Sequence, residues 1–200
     1  NDTGEAIDAN LTITAGELSA IVAISQEAKP VEGEVVGGRD DFNTVAANTS
    51  YGTRTTTAGW KGTNCAVMQG GATDNSPTFK FIGTNSNTRA LCMNGKTSVV
   101  GSIASPTLTT GCGTLTFNYG LPFSDSKIKF RVDIKQNGTV VKTFTVNPSS
   151  VSKLTKYSHE EVVNVAGEFQ IVFTNLSPSS STSNKDRTAI WDVEWTGYAE

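Results

Sequence analysis

The chain is 200 residues long, with 16 Lys plus Arg against 19 Asp plus Glu, a formal net charge of −3, 18% charged and 8% aromatic residues. No basic run supplies the clustered Lys and Arg that a nucleic-acid backbone requires, and no apolar run approaches the ~20 residues of a membrane-spanning helix; nucleic-acid binding and direct membrane insertion are both disfavoured. The length admits one all-β domain with a short N-terminal extension, and the density of Ser, Thr, Asn and Gly suits strands joined by turns better than long helices.

No secretory signal stands at Asn1, and the composition favours a mature or trimmed exported chain over a cytoplasmic one. Cys65, Cys92 and Cys112 lack CxxC spacing, and each sits beside apolar or Gly residues. Two readings stay open for them, buried thiols or one bridge plus one free thiol, and the first is favoured.

In chain order, Asn1 to Ala9 is polar. Thr14 to Gln26 reads as a short helix, with Thr14 as N-cap, Glu17 as its capping partner and Leu18, Ile21, Val22 and Ser25 on one face. Pro30 ends it, Val31 to Val36 reads as a strand, and Gly37-Gly38 marks a boundary, so residues 1–38 form an extension or the tail of a preceding domain and 39–200 the main domain. Asp40 to Trp60 reads as a long surface loop. Short strands follow at Cys65 to Met68, Thr78 to Ile82 and Arg89 to Met93.

The stretch from Ser98 to Ile134 organises the rest. Leu115, Phe117, Tyr119 and Leu121 alternate with Thr114, Thr116, Asn118 and Gly120, and Ile128, Phe130, Val132 and Ile134 alternate with Lys127, Lys129, Arg131 and Asp133. Period two with such segregation means half-buried antiparallel strands. Asn137-Gly138 is a tight-turn signal that folds Thr139 to Val146 back as a hairpin, with Val140, Phe144 and Val146 continuing the inward row. Tyr157 to Val165 and Phe169 to Thr174 are further strands, and Ser177 to Asp186 is a Ser/Asn/Pro loop. The last strand, Thr188 to Trp195, places Ala189, Trp191, Val193 and Trp195 on one face and Asp192 and Glu194 on the other. Some ~10 short strands without βαβ alternation give an all-β, two-sheet antiparallel jelly-roll sandwich with a short N-terminal helix/strand extension.

Chemistry is sparse. His159 is the single histidine, with no second His for a zinc set and no GxSxG motif. Among Asp40, Asp41, Asp133, Glu160, Glu161, Asp192 and Glu194, spacing isolates no pair for glycoside hydrolysis; Asp192 and Glu194 share a face but read as solvated. For glycan binding the relevant groups are aromatic faces and planar hydrogen-bonding side chains, which nominates Tyr51, Arg54 and Trp60 around one loop and Arg187, beside Lys185 and Asp186, at the end of another. Against this, Trp60 after Gly59 suits a core plug, and Trp191 and Trp195 suit sheet packing.

The order of an Asp-Phe start, Gly59-Trp60, SVVGSIASPTL, GTLTFNYG, a charged hairpin, GEFQIVFTNLS and AIWDVEWTGY resembles, over Asp41 to Tyr198, the adhesin-like jelly-roll modules of secreted Bacteroidetes proteins, similar to cleaved-adhesin and MAM-like (choice-of-anchor type) sandwiches. The resemblance implies export, a cell-surface or outer-membrane lipoprotein setting and a non-catalytic binding role often linked to glycans. It also implies a candidate structural calcium, held by Asp40 or Asp41 with Asp192; no other cofactor is required. The expectation is a monomeric adhesin-like, carbohydrate-binding module whose partner is a glycan or a surface protein. The alternatives are a structural or protein-interaction module of a larger surface protein, or an accessory domain of a secreted hydrolase.

Overall fold

The computed structural model describes residues 7–15, 18–26, 36–177 and 186–198. The chain divides into two compact units, Asn1–Glu34 and Val35–Glu200. In the first, β1 (Ile7–Ala15) and β2 (Leu18–Gln26) form a two-stranded antiparallel hairpin. The helix expected over Thr14 to Gln26 is therefore not formed. Its residues alternate with period two as well as matching one helical face, and the β-branched Thr12, Ile13, Thr14, Ile21, Val22 and Ile24 favour the extended state. Residues 31–35 of the expected strand and 178–185 of the expected loop lie outside the described residues.

The second unit holds β3 (Gly38–Asp40), β4 (Asn48–Thr55), β5 (Lys61–Gln69), β6 (Asp74–Asn75), β7 (Thr78–Phe79), β8 (Arg89–Met93), β9 (Ser102–Ala104), β10 (Cys112–Gly120), β11 (Phe130–Gln136), β12 (Thr139–Val146), β13 (Tyr157–Val165), β14 (Gln170–Asn175) and β15 (Thr188–Trp195). The main path runs β12-β11-β14-β9-β5-β8-β15-β10-β13, with β3 on β15 and β4 on β5. Strand β5 joins the two layers: Lys61 to Thr63 pair with β9, and Cys65 to Gln69 pair with β8. The switch falls at Asn64, in the left-handed region at φ 52, the kind of local bend by which a strand changes sheets. The two ends of the path meet through side chains, where the Phe144 ring stacks on His159 at 5.4 Å and Lys142 reaches Glu161 at 3.4 Å and the Val162 carbonyl. The result is an all-β antiparallel sandwich that curls almost closed.

The inward rows of the central strands are buried as their alternation predicts: Leu115, Phe117 and Leu121 on the β10 stretch, Phe130, Val132 and Ile134 on β11, and Phe169, Ile171 and Phe173 at β14. Phe173 from one layer meets Phe117 from the other edge-on at 5.0 Å, and Phe130 lies 5.8 Å from Phe117. The stretch read as a surface loop, Asp40 to Trp60, instead contributes β4 and two core rings. Phe42 packs edge-on against Trp60 at 5.4 Å, and Trp60 lies 6.5 Å from Phe173.

Val140, Ala189 and Trp191 take a different face from the one their spacing implies, and Asp133 keeps its face but is buried there. A register shift after Ile134 leaves Val141 unpaired in the β11–β12 ladder, so Val140 leaves the inward row while Lys142, Phe144 and Val146 keep it. In β15, Asp192 sits at φ 55 in a bulge that pairs Asn118 with Trp191 but Thr116 with Glu194. Trp191 is thereby turned to the outer face, opposite Val193 and Trp195. Asp133, placed by alternation among the solvent-facing residues, is buried; Arg131 Nε donates to it at 2.9 Å and Thr143 Oγ1 at 2.8 Å.

Candidate functional site

Cross-strand partners in an antiparallel sheet share a face. Ala66 of β5 pairs with Cys92 of β8, Cys92 with Ala189 of β15, and Ala189 with Gly120 of β10. Four small residues thus line up across the outer face and leave a trough for large side chains. Phe81 fills one end, since a Cβ at Gly120 would lie 2.8 Å from its ring. Phe81 packs edge-on against the outward-turned Trp191 at 5.6 Å, and Phe79 bridges Phe81 at 5.8 Å and Phe123 at 5.5 Å. This is a second aromatic cluster, on the outer face of the sheet beside the short β6–β7 segment, with Phe79 and Trp191 buried and Phe81 and Phe123 half-buried.

Arg187 stands over it. Its guanidinium carbon lies 3.9 Å from the Phe123 ring centre, and Asp125 accepts from Nε at 2.7 Å, from Nη2 at 2.9 Å and from the Arg187 backbone N–H at 3.0 Å. The pair is nearly enclosed, with side-chain exposures of 15% for Arg187 and 3% for Asp125. Burial is the largest influence and works against the Arg187 charge, but the hydrogen bonds to Asp125 and the electrostatic attraction of Asp125, Tyr51 and Cys92 together outweigh it and hold the guanidinium above its ordinary pKa. On the other side, Tyr51 of β4 reaches across to Cys92, with Oη 3.6 Å from Sγ, and lies beside Arg187. Burial pushes the Tyr51 phenol well up and the Cys92 thiol up to about 12, so both stay protonated at neutral pH.

Beside the Arg187–Phe123 stack an open cleft of about 360 Å³ is lined by Asp74, Asn75, Ser76, Phe79, Phe123 and Lys153, with Arg187 in its wall. Asp74 is oriented from within its own hairpin by the Phe81 backbone N–H at 3.3 Å. The cleft combines aromatic carbon, short polar side chains, one carboxylate and two cations, a set that can hold a small polyhydroxylated ligand by hydrogen bonds against an apolar wall.

Of the residues nominated from the sequence, the structure brings Tyr51 and Arg187 together. Arg54 stays apart, its guanidinium donating to the Thr53 carbonyl at 3.0 Å and to the Ser50 carbonyl. Trp60 is only 1% exposed and offers no face to a ligand, because its ring completes the layer between Phe42 and Phe173. Sequence reasoning does not single out Phe79, Phe81, Phe123, Asp125 or Asp74. The stretch from Thr78 to Ile82 carries a local signal in its two aromatic residues, Phe79 and Phe81, whereas Asp125 is separated from Arg187 by 62 positions and carries none.

The carboxylates considered for calcium are each engaged locally. Asp40 accepts from the Phe42 N–H at 2.7 Å and from Thr56 Oγ1 at 3.4 Å, Asp41 accepts from Asn43 N at 3.0 Å and Nδ2 at 2.6 Å, and Asp192 accepts from Arg39 Nε at 2.6 Å and Asn118 Nδ2 at 3.1 Å. Asp40 and Asp41 line a shallow hollow with Arg39, while Asp192 takes the Arg39 cation itself. Among the described residues, no group of three or more His, Cys, Asp or Glu is placed to hold a metal ion. The three cysteines are free and buried, and burial raises each thiol pKa, for Cys112 to about 12. His159 is enclosed between the Phe117 and Phe144 rings, 5.3 and 5.4 Å away. Among the described residues, no helix is long and apolar enough to cross a membrane.

No protein-family model matches the sequence, and no curated protein matches it. Among solved structures, the chain is similar to the K1 cleaved adhesin domain of Lys-gingipain from Porphyromonas gingivalis W83, with 14% identity and a TM-score of 0.45 over 82% of this chain and 99% of that one. It is similar to TmCBM61, solved in complex with beta-1,4-galactotriose, with 12% identity and a TM-score of 0.44 over 70% of this chain and 88% of that one. It spans 25% of the length of a glycoside hydrolase family 43 arabinoxylan arabinofuranohydrolase from Bacillus subtilis, at 15% identity and a TM-score of 0.43 over 68% of this chain. Likenesses of this degree assign the chain neither a family nor a ligand.

Proposed function

We propose that the Val35–Glu200 sandwich is a non-catalytic binding module that takes a carbohydrate in the outer-face cleft between β6–β7 and the Phe123–Arg187 stack. The observation that carries this reading is the Arg187 guanidinium, fixed by Asp125 and stacked on Phe123 at the wall of an open cleft with Asp74, Asn75, Ser76 and Lys153 around it. A rigid planar cation with short polar neighbours over aromatic carbon suits hydroxyl-rich ligands, and the shallowness of the cleft implies weak affinity. On this reading the chain is an exported, surface-exposed adhesin-like module; the Bacteroidetes lipoprotein setting implied by the sequence resemblance belongs to the same proposal. The test is an oligosaccharide array probed with the wild-type chain and with Asn75→Ala/Lys153→Ala, two exposed positions that do not support the core. Binding that falls at least tenfold in the variant, at an unchanged melting temperature, supports the cleft. Silence on the array, or equal retention by both proteins, overturns it.

A protein-docking role is the second reading. Val140 and Val141 on β12 and Val162 on β13 are exposed at the two ends of the strand path, by 46, 48 and 56%. A surface partner captured by the wild-type chain and lost in Val141→Asp/Val162→Asp would favour it.

A further inference from the structure

Along β11 and the segment before it, Ile128, Phe130, Val132 and Ile134 are buried, which leaves Lys127, Lys129, Arg131 and Lys135 on the outer face of the layer that does not carry the Phe123–Arg187 cleft. Successive cations from Lys127 to Arg131 lie about 7 Å apart along an extended chain. Register carries the face sideways: Arg131 pairs with Thr145 and Thr174, Thr174 with Ser102, and Ser102 with Thr63. Hydroxyls therefore flank the stripe at about 4.8 Å per strand. Asp133 is the carboxylate on this stripe, and it is fully engaged by Thr143 Oγ1 and Arg131 Nε. That tie orients the Arg131 side chain, which is 45% exposed and whose Nη1 and Nη2 have no partner among the described residues. At the near end of the stripe, Lys127 and Lys129 line an open cleft of about 350 Å³ with Asn147, Ser149, Ser150 and Ser177; Asp186 is the one carboxylate among its described lining residues. A chain of formal net charge −3 thus gathers an excess of cations on one face.

We propose that this stripe is a second binding site, for an anionic polysaccharide bearing carboxylate or sulfate groups, laid along β11 from the Lys127–Lys129 cleft to Arg131. The lysine ammoniums and the free fork of Arg131 meet the ligand's oxyanions, and the bond to Asp133 sets the fork's direction beforehand. The hydroxyls of Thr145, Thr174, Ser149 and Ser150 donate to and accept from sugar hydroxyls. The surroundings select this class among polyanions. No aromatic ring stands in the Thr145–Arg131–Thr174–Ser102–Thr63 row or among the described lining residues of its cleft, so nucleic-acid bases have nothing to stack on. The same row offers no apolar anchor to a bilayer. The site shares no lining residue with the cleft beside Phe123, so either can fail alone.

The experiment is biolayer interferometry of the full chain against polygalacturonate, dextran sulfate and neutral dextran at low and raised salt, with single-stranded DNA and phosphatidylserine vesicles as further probes. Lys127→Gln/Lys129→Gln removes two exposed charges from the stripe. Lys80→Gln/Lys156→Gln, beside β7 and β13, removes two exposed charges from the other layer and matches it in net charge. The wild type and Lys80→Gln/Lys156→Gln are expected to bind one or both polyanions, more weakly as salt rises, and not dextran. Binding to polygalacturonate alone assigns carboxylate, and to dextran sulfate alone sulfate. Lys127→Gln/Lys129→Gln is expected to bind at least tenfold more weakly at an unchanged melting temperature. The same loss is expected for Arg131→Gln, which keeps an amide donor for Asp133; where that variant melts lower, the lysine pair decides. No binding to either polyanion, equal loss in the two lysine variants, full retention in Arg131→Gln, or equal binding of DNA or vesicles overturns the proposal.

Discussion

The sandwich has two aromatic clusters that differ in what surrounds them. Phe117, Phe130, Phe173 and Trp60 lie buried between the layers and pack on one another. Phe79, Phe81, Phe123 and Trp191 lie on the outside, over a floor of Ala66, Cys92, Ala189 and Gly120, and share their space with an Arg–Asp pair and an open cleft. The first cluster can contribute only stability, because no ligand reaches it. In the second, Phe79 and Trp191 are buried too, and the half-buried Phe123 is the ring that meets both the fixed charge and the open cleft, so it is the one available for recognition. An aromatic residue in a β-sandwich is assigned its role by the face it takes and by what covers that face.

Substitutions can separate the two clusters. The largest effect is expected at Trp60→Ala, which leaves a cavity between Phe42 and Phe173 and should cost about 3–5 kcal/mol in denaturant unfolding. Ligand binding would then fall only in proportion to the unfolded fraction; a specific loss of binding at full stability would break the comparison. Asp125→Ala should cost about 2–3 kcal/mol by stranding the enclosed Arg187 charge, and should abolish ligand binding in the fraction that stays folded. Gly120→Ala pushes a methyl into the Phe81 ring and the Thr155 carbonyl and should cost about 1–3 kcal/mol, visible as a shift in Trp191 fluorescence because the ring it displaces packs on that indole.

The smallest effect is expected at Asp40, which touches the inner cluster only through the Phe42 N–H and Thr56 and where the sign can be derived. Burial raises its carboxyl pKa above the ordinary value, against the opposing hydrogen bond from Phe42 N–H. The raised folded-state pKa means relative stability that is present below the unfolded-state pKa and lost as pH rises through the folded-state one. Asp40→Asn keeps an acceptor for the Phe42 N–H and removes the charge. It should therefore be neutral or slightly stabilising at neutral pH, with the difference from wild type vanishing once the solution is acid enough to protonate Asp40. Urea unfolding at neutral and acid pH measures this, and destabilisation at neutral pH alone would show that the carboxylate's charge is used.

Much of the second unit was legible in the sequence because side-chain alternation is a one-dimensional record of which way a strand faces. Leu115, Phe117 and Leu121, then Phe130, Val132 and Ile134, bury as their spacing implies, and Asn137-Gly138 turns the chain between β11 and β12, with both residues at positive φ, 48 and 80. Alternation also failed in identifiable places. A single bulge residue reverses every facing beyond it, so Asp192 sent Trp191 outward and the shift beside Val141 freed Val140, and neither carries a Gly that would have announced it. In the N-terminal stretch, a short run fits both a helical face and a strand, and cross-strand pairing of Leu11 with Val22 decided between them.

The candidate site divides in the same way. Residue chemistry by itself nominated Tyr51 and Arg187 as planar polar groups able to meet a sugar, and the absence of clustered basic residues argued against nucleic acid. What only the tertiary structure decided was proximity: that Tyr51 crosses β5 to reach Cys92, that Asp125 closes on Arg187 from 62 positions away, and that Trp60 goes inside while Phe123 stays at the rim. The physical reason is that periodicity along a strand encodes direction relative to one sheet, whereas a cleft is made by segments that share no local pattern and meet because the trough of small residues beneath them leaves room.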